Sequence, residues 1–152
     1  MRNINIYFIC TGNTCRSPMA AAILQAKNYE NITVRSAGIY AHEGSAMSLN
    51  AKEILHRKNI AQSHRSSQFT VEDAQWADLI LTMTTAHKEM VLRLVEEAAH
   101  KTFTLNEYVA METGLDIQDP FGGNLQVYEQ TYEQLNEAIN KLETKLKLED
   151  KI

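Results

Sequence analysis

Asn5-Ile6-Tyr7-Phe8-Ile9-Cys10-Thr11-Gly12-Asn13-Thr14-Cys15-Arg16-Ser17-Pro18-Met19-Ala20-Ala21-Ala22-Ile23-Leu24 changes character twice. Asn5 to Cys10 is a dense apolar run of strand formers. Its unbroken apolarity predicts a strand buried on both faces, as in a parallel sheet. Thr11 to Thr14 is turn-like. From Ser17 the pattern is helical, with Ser17 expected as the cap and Pro18 in the first turn.

The same alternation continues outward. Ile32 to Ala37 reads as a second strand, stopped by Gly38, and Ser48 to Lys58 has helical spacing through Ala51, Ile54 and Leu55. Thr70 ahead of Asp73 carries a capping signature. Asp78 to Met83 is a third apolar strand, Thr85 to Glu97 a helix and Thr102 to Leu105 a short fourth strand. A loop over 110–124 contains Asp119-Pro120-Phe121-Gly122-Gly123. The last segment is a long amphipathic helix with Tyr128, Thr131, Leu135, Ala138, Ile139, Leu142 and Leu146 on one face. Trp76 is expected in the core. The expectation is a single α/β domain over residues 1–152, a four-stranded parallel doubly wound sheet with helices on both faces. Such sheets bind ligands at the carboxyl ends of their strands, which directs attention to the loop after Cys10.

Composition limits what that loop serves. The chain has 152 residues, 44% of them hydrophobic and 22% charged, with a net charge of -4. These values suit a globular domain and argue against a broad nucleic-acid surface, which would be basic. No apolar run approaches the roughly 20 residues needed to span a bilayer. Two Cys cannot build a disulfide framework, so a cytoplasmic chain with reduced thiols is the default. Acidic balance and small size make a monomer the default as well. The His and Cys positions show no zinc spacing, and neither a metal nor an organic cofactor is expected.

Cys10 closes the first strand and Arg16 opens the first helix; Thr11, Gly12, Asn13, Thr14 and Cys15 between them are small or polar. A tight loop of this kind aims successive backbone N–H groups inward at a helix N-terminus and forms an anion nest. Arg16 adds a bidentate clamp for a phosphate-like anion. Dipole, amides and Arg16 are expected to favour the Cys10 thiolate, a ready nucleophile beneath a bound oxyanion. Read alone, Cys10 would be a buried core thiol and Arg16 a surface residue. The order strand, Cys, loop, Arg, Ser, Pro, helix favours the chemical reading. A nucleotide-binding loop fits poorly, because no Gly-Lys-Ser/Thr ends it.

Cys10-Thr11-Gly12-Asn13-Thr14-Cys15-Arg16-Ser17-Pro18-Met19-Ala20 resembles the signature of low-molecular-weight protein tyrosine phosphatases. The resemblance extends to Ser36-Ala37-Gly38, to 77–84 and to Asp119-Pro120-Phe121-Gly122-Gly123. It is nearest to the bacterial protein-arginine-phosphatase branch. It implies a thiolate of Cys10 that attacks phosphorus, a phosphocysteine intermediate, and Asp119 as the acid that later becomes the base. It also implies that Ser17 eases thiolate departure and that Asn13, Ser36 and His64 form a network behind the loop. For His64 a solvated loop residue is the alternative. Substrates would be phosphorylated proteins, with no role for nucleic acid or membrane.

Thr14 bears on the substrate. Tyrosine-directed relatives tend to carry an aliphatic residue there, and the arginine-directed branch resembles this chain in carrying Thr. A hydroxyl suits a small polar leaving group, and Asp119 could hold a guanidinium through charge-assisted bonds. Ile39, Tyr40 and Phe121 are the expected pocket walls, with core packing as the alternative. Cys15 is expected as a resolving thiol that captures oxidised Cys10; the alternative is a loop filler. Phosphotyrosine hydrolysis on the same chemistry stays open. An arsenate reductase shares a similar loop, but its relay needs two later cysteines, and none follows Cys15.

Overall fold

Cys10 ends a strand that the rest of the chain encloses. The computed structural model describes residues 2–152. Strand β1 (Ile4–Cys10) pairs in parallel with β2 (Ile32–Gly38) on one side and β3 (Leu79–Thr82) on the other; β4 (Thr102–Thr104) pairs with β3. The order is β2-β1-β3-β4, all parallel. It reverses direction beside β1, so the carboxyl end of β1 is the switch point where such sheets place ligands.

Both faces of β1 are buried, as its unbroken apolarity predicts. Ile6 and Phe8 join a core with α1 (Arg16–Gln25), α2 (Leu49–Arg57), α5 (Leu105–Tyr108) and α6 (Leu125–Leu148). Tyr7 and Ile9 join the opposite core with α3 (Val71–Trp76) and α4 (Thr85–Leu94). The apolar stripe of α6, from Tyr128 through Leu146, is buried against the first core.

Local differences from the sequence reading have physical causes. Ser17 is not the cap of α1: Cys15 occupies that position without a side-chain bond, and the Ser17 hydroxyl turns to the sulfur of Cys10. Ser48 caps α2 instead, accepting from the Ala51 N–H. The helix after β3 stops at Leu94 and gives way to a 3-10 segment, Glu96–Lys101. Leu105 leaves the sheet to start α5, because Thr104 and Glu107 form a capping box there. Trp76 is only half-buried and carries the Arg35 guanidinium 4.0 Å from its ring centroid.

Gly38 pairs with Cys10 in the β1–β2 register and passes directly under the loop that follows Cys10. A Cβ at this position would collide with the Thr11 carbonyl oxygen and lie 2.9 Å from the Asn13 backbone nitrogen. Backbone cannot yield as a flexible side chain does, so Gly38→Ala is expected to cost about 1–3 kcal/mol of stability. Urea titration checks this; a midpoint equal to wild type would contradict the close approach.

Candidate active site

The loop 11–15 turns back over the end of β1 because Asn13 adopts a left-handed backbone, φ 56°. Asn tolerates that region better than most residues. Its side chain, 0% exposed, is fully engaged. The amide nitrogen donates to Ser17 Oγ at 2.8 Å and Ser36 Oγ at 3.0 Å, and Oδ1 accepts from the Ser67 backbone N–H at 2.9 Å. The Asn13 carbonyl accepts from Ser66 Oγ at 2.8 Å and lies 2.6 Å from His64 Nε2. Asn13, Ser36 and His64 are therefore assembled behind the loop. Ser66 and Ser67 belong to the same cluster, and no local sequence pattern marks either of them.

Cys10 Sγ is buried and lies 2.8 Å from Ser17 Oγ. Burial pushes its thiol above the ordinary value. Hydrogen bonds from the Ser17 side chain and backbone, the Arg16 charge and the Asn13 backbone all pull the other way. The stabilising groups expected from the sequence are present, but desolvation outweighs them and the net direction is up.

Arg16 is 5% exposed, not a surface residue. One guanidinium nitrogen donates to the Ile117 carbonyl at 3.2 Å, and another lies 3.6 Å from Asp119 Oδ2. Asp119 itself is exposed, and its Oδ1 accepts from the Phe121 N–H at 3.0 Å, which shapes the turn around Pro120. Ile117 N–H donates to the Met83 carbonyl, and Asp116 accepts from Thr85, so the acid loop is tied to the end of β3 and the start of α4. A cavity of about 270 Å³ opens between the two loops, lined by Cys10, Thr11, Gly12, Thr14, Cys15, Arg16, Asp119 and Phe121.

Two expected walls fall elsewhere. Ile39 is packed in the core with Tyr7 and Ile9, because its N–H donates to the Cys10 carbonyl and continues the β1–β2 ladder, which puts its side chain among the residues of that face. Tyr40 is 71% exposed and does not line the cavity; its backbone N–H donates to the Thr11 carbonyl. Phe121 is the aromatic at the rim, 82% exposed. Cys15 is buried, 3.4 Å from Ser48 Oγ and 3.5 Å from the Tyr128 hydroxyl. Among the described residues no three His, Cys, Asp or Glu side chains gather as a metal site would require, and no helix is long and apolar enough to cross a membrane.

A nucleophilic sulfur at a helix N-terminus, a buried guanidinium beside it and a carboxylate across a cavity small enough for a phosphoryl group are what thiol-based dephosphorylation needs. By fold and chemistry this is a cysteine-dependent phosphatase. Residues 5–151 match the family model described as low molecular weight phosphotyrosine protein phosphatase, and the chain belongs to that family. A protein-arginine-phosphatase of Geobacillus stearothermophilus is 51% identical over 81% of this chain and 82% of its own. A low molecular weight protein-tyrosine-phosphatase, PtpB, of Staphylococcus epidermidis is 41% identical over 84% and 88%. The solved structure of the YwlE arginine phosphatase from Geobacillus stearothermophilus superposes with a TM-score of 0.92 at 47% identity, covering 96% of this chain and 94% of that one.

His64 and His87 are held below the ordinary histidine value, His87 at about 4, mainly by burial. Both stay neutral in the folded state while the unfolded chain takes up protons near pH 6.5. The contribution of each is complete above that pH and declines below it, for His87 down to about pH 4. Stability should therefore drop over this window, with His87 accounting for at most about 3 kcal/mol. Denaturant titrations from pH 7 to pH 4 check it: His87→Gln should flatten the decline, and an unchanged slope would contradict the assignment.

Proposed function

We propose that this chain hydrolyses phosphoarginine in proteins through a phosphocysteine on Cys10. The observation that carries the reading is the cavity beside Cys10, where Thr14 supplies a hydroxyl and Asp119 faces Arg16 at 3.6 Å. The Thr14 hydroxyl and the Asp119 carboxylate at this cavity offer a guanidine hydrogen-bond partners that a phenyl ring could not use. The similarity to relatives named protein-arginine-phosphatase at 51% and 44% identity supports it.

Thr11, Gly12, Asn13, Thr14, Cys15 and Arg16 bind the phosphoryl oxygens, through inward N–H groups and the guanidinium. The Cys10 thiol passes its proton to an oxygen of the bound phosphoryl group and its sulfur attacks phosphorus: the S–P bond forms, the P–N bond breaks, and the departing nitrogen takes a proton from Asp119. Asp119, now a carboxylate, removes a proton from water. The new O–P bond displaces the Cys10 thiolate, which Ser17 receives with its hydroxyl. Asn13, Ser36 and His64 hold the loop in shape, and Phe121 forms the outer wall.

A phosphotyrosine reading is favoured by one observation, the 41% identity to a relative named protein-tyrosine-phosphatase. Phosphoarginine and phosphotyrosine peptides at equal concentration separate the two. Preference for phosphoarginine is expected, and preference for phosphotyrosine overturns the proposal. Thr14→Ile should move the ratio towards phosphotyrosine, while an unchanged ratio removes Thr14 from the argument. Cys10→Ser should lose turnover by a factor on the order of 10³ or more yet still bind inorganic phosphate.

Cys10 and Cys15 lie in one loop as free thiols. We read Cys15 as the resolving thiol: a peroxide takes two electrons from the pair, leaving a disulfide and water. Mass analysis after peroxide should find the Cys10–Cys15 disulfide; overoxidised Cys10 with free Cys15 overturns it. Reduced thiols and the net charge of -4 support a monomer acting in the cytoplasm.

A further inference from the structure

His87, in the first turn of α4, is 7% exposed and takes no part in the steps above. Both ring nitrogens are engaged. Nδ1 lies 2.9 Å from Thr84 Oγ1, and Nε2 lies 2.8 Å from Thr11 Oγ1. Thr84 Oγ1 also accepts the His87 backbone N–H at 3.1 Å, capping α4. Among the described residues Nδ1 is the one acceptor that the Thr84 hydroxyl proton meets. That assigns the tautomer: Thr84 O–H donates to Nδ1, the ring proton sits on Nε2, and Nε2–H donates to Thr11 Oγ1. Thr11 then keeps its own hydroxyl proton for another acceptor, and accepting a bond strengthens the one it gives. Thr11 lines the cavity with Cys10 and Arg16.

We propose that His87 is a positioning residue: the chain Thr84–His87–Thr11 sets the Thr11 hydroxyl as a donor to an oxygen of the bound phosphoryl group. The inference rests on the reading that the Cys10 loop receives a phosphoryl group. It adds a side-chain donor to the backbone N–H groups and Arg16, aimed before substrate arrives.

The relay works only while the imidazole is neutral, because a protonated Nδ1 could not accept from Thr84. Burial and the Arg16 guanidinium hold the ring neutral above about pH 4; Asp116 and Asp119 from the acid loop act more weakly in the other direction. Near neutral pH the direction of the chain is therefore defined.

The test uses inorganic phosphate as the probe for binding, and kcat and KM on a phosphoarginine peptide. Thr11→Val removes the donor without changing the volume. His87→Leu removes the relay, and His87→Gln restores an N–H donor. Thr11→Val and His87→Leu should each weaken phosphate binding and lower kcat/KM by about tenfold, the scale of one hydrogen bond to a charged group. The double variant should be no worse than the weaker single one, and Thr11→Ser and His87→Gln should recover most of the loss. Independent, multiplicative losses in the double variant overturn the proposal. So does a Thr11→Val protein whose phosphate affinity and kcat/KM stay within about twofold of wild type. Should His87→Leu fail to fold, Thr11→Val against Thr11→Ser decides by the same readings. A wild-type protein that binds no phosphate refutes the phosphoryl reading itself, and this inference with it.

Discussion

Asn13 holds a left-handed backbone turn and a fully buried carboxamide at the same point in the chain. A left-handed residue with a Cβ costs about 1–2 kcal/mol, and a buried amide without partners costs about 1–3 kcal/mol more. Both costs are offset by bonds to Ser17, Ser36 and Ser67 and by the Ser66 and His64 contacts to its carbonyl. Those partners come from α1, from β2 and from the segment 64–67, so the loop keeps its shape only when three separate parts of the chain are in place. The position of the Cys10 sulfur relative to the N-terminus of α1 follows from this turn. Gly38 makes the arrangement possible from below, by leaving no side chain where the loop must pass.

The second half of the site is held differently. Asp119 is exposed, and its position depends on backbone anchors on either side: Ile117 to Met83, Gln118 to the Gln134 side chain, and the turn closed by Gly123 N–H to the Pro120 carbonyl. Arg16 spans the two halves, reaching the Ile117 carbonyl and the Asp119 carboxylate. A guanidinium with several donors in a fixed plane suits this, because it holds protein groups while keeping edges free for an anion. The buried loop gives rigidity around the sulfur, and the exposed loop gives the carboxylate access to solvent water.

Elements with a local cause were legible. The doubly apolar β1, the cap Thr70 and the buried stripe of α6 each follow from patterns within a few residues. The loop chemistry was legible for the same reason, since Cys10 through Pro18 are contiguous. Misreadings occurred where a side chain had a competing tertiary partner. Ser17 abandons capping for the sulfur of Cys10, and Ile39 packs inward beside Tyr7 and Ile9 rather than lining the cavity. His87 offered no metal spacing and so carried no signal, and Tyr128 read only as one position on an apolar face; both meet the loop across long sequence separations.

The sequence by itself determined the family and which residues are the candidate nucleophile, arginine and acid, because these depend on local pattern and residue chemistry. Tertiary structure alone decided how those groups act on one another. It brought Asp119 to within 3.6 Å of Arg16 and His87 to within 2.8 Å of Thr11. It also decided that burial outweighs the charges around Cys10. Desolvation and hydrogen-bond direction are properties of surroundings assembled from distant segments, and no residue carries them in its own type.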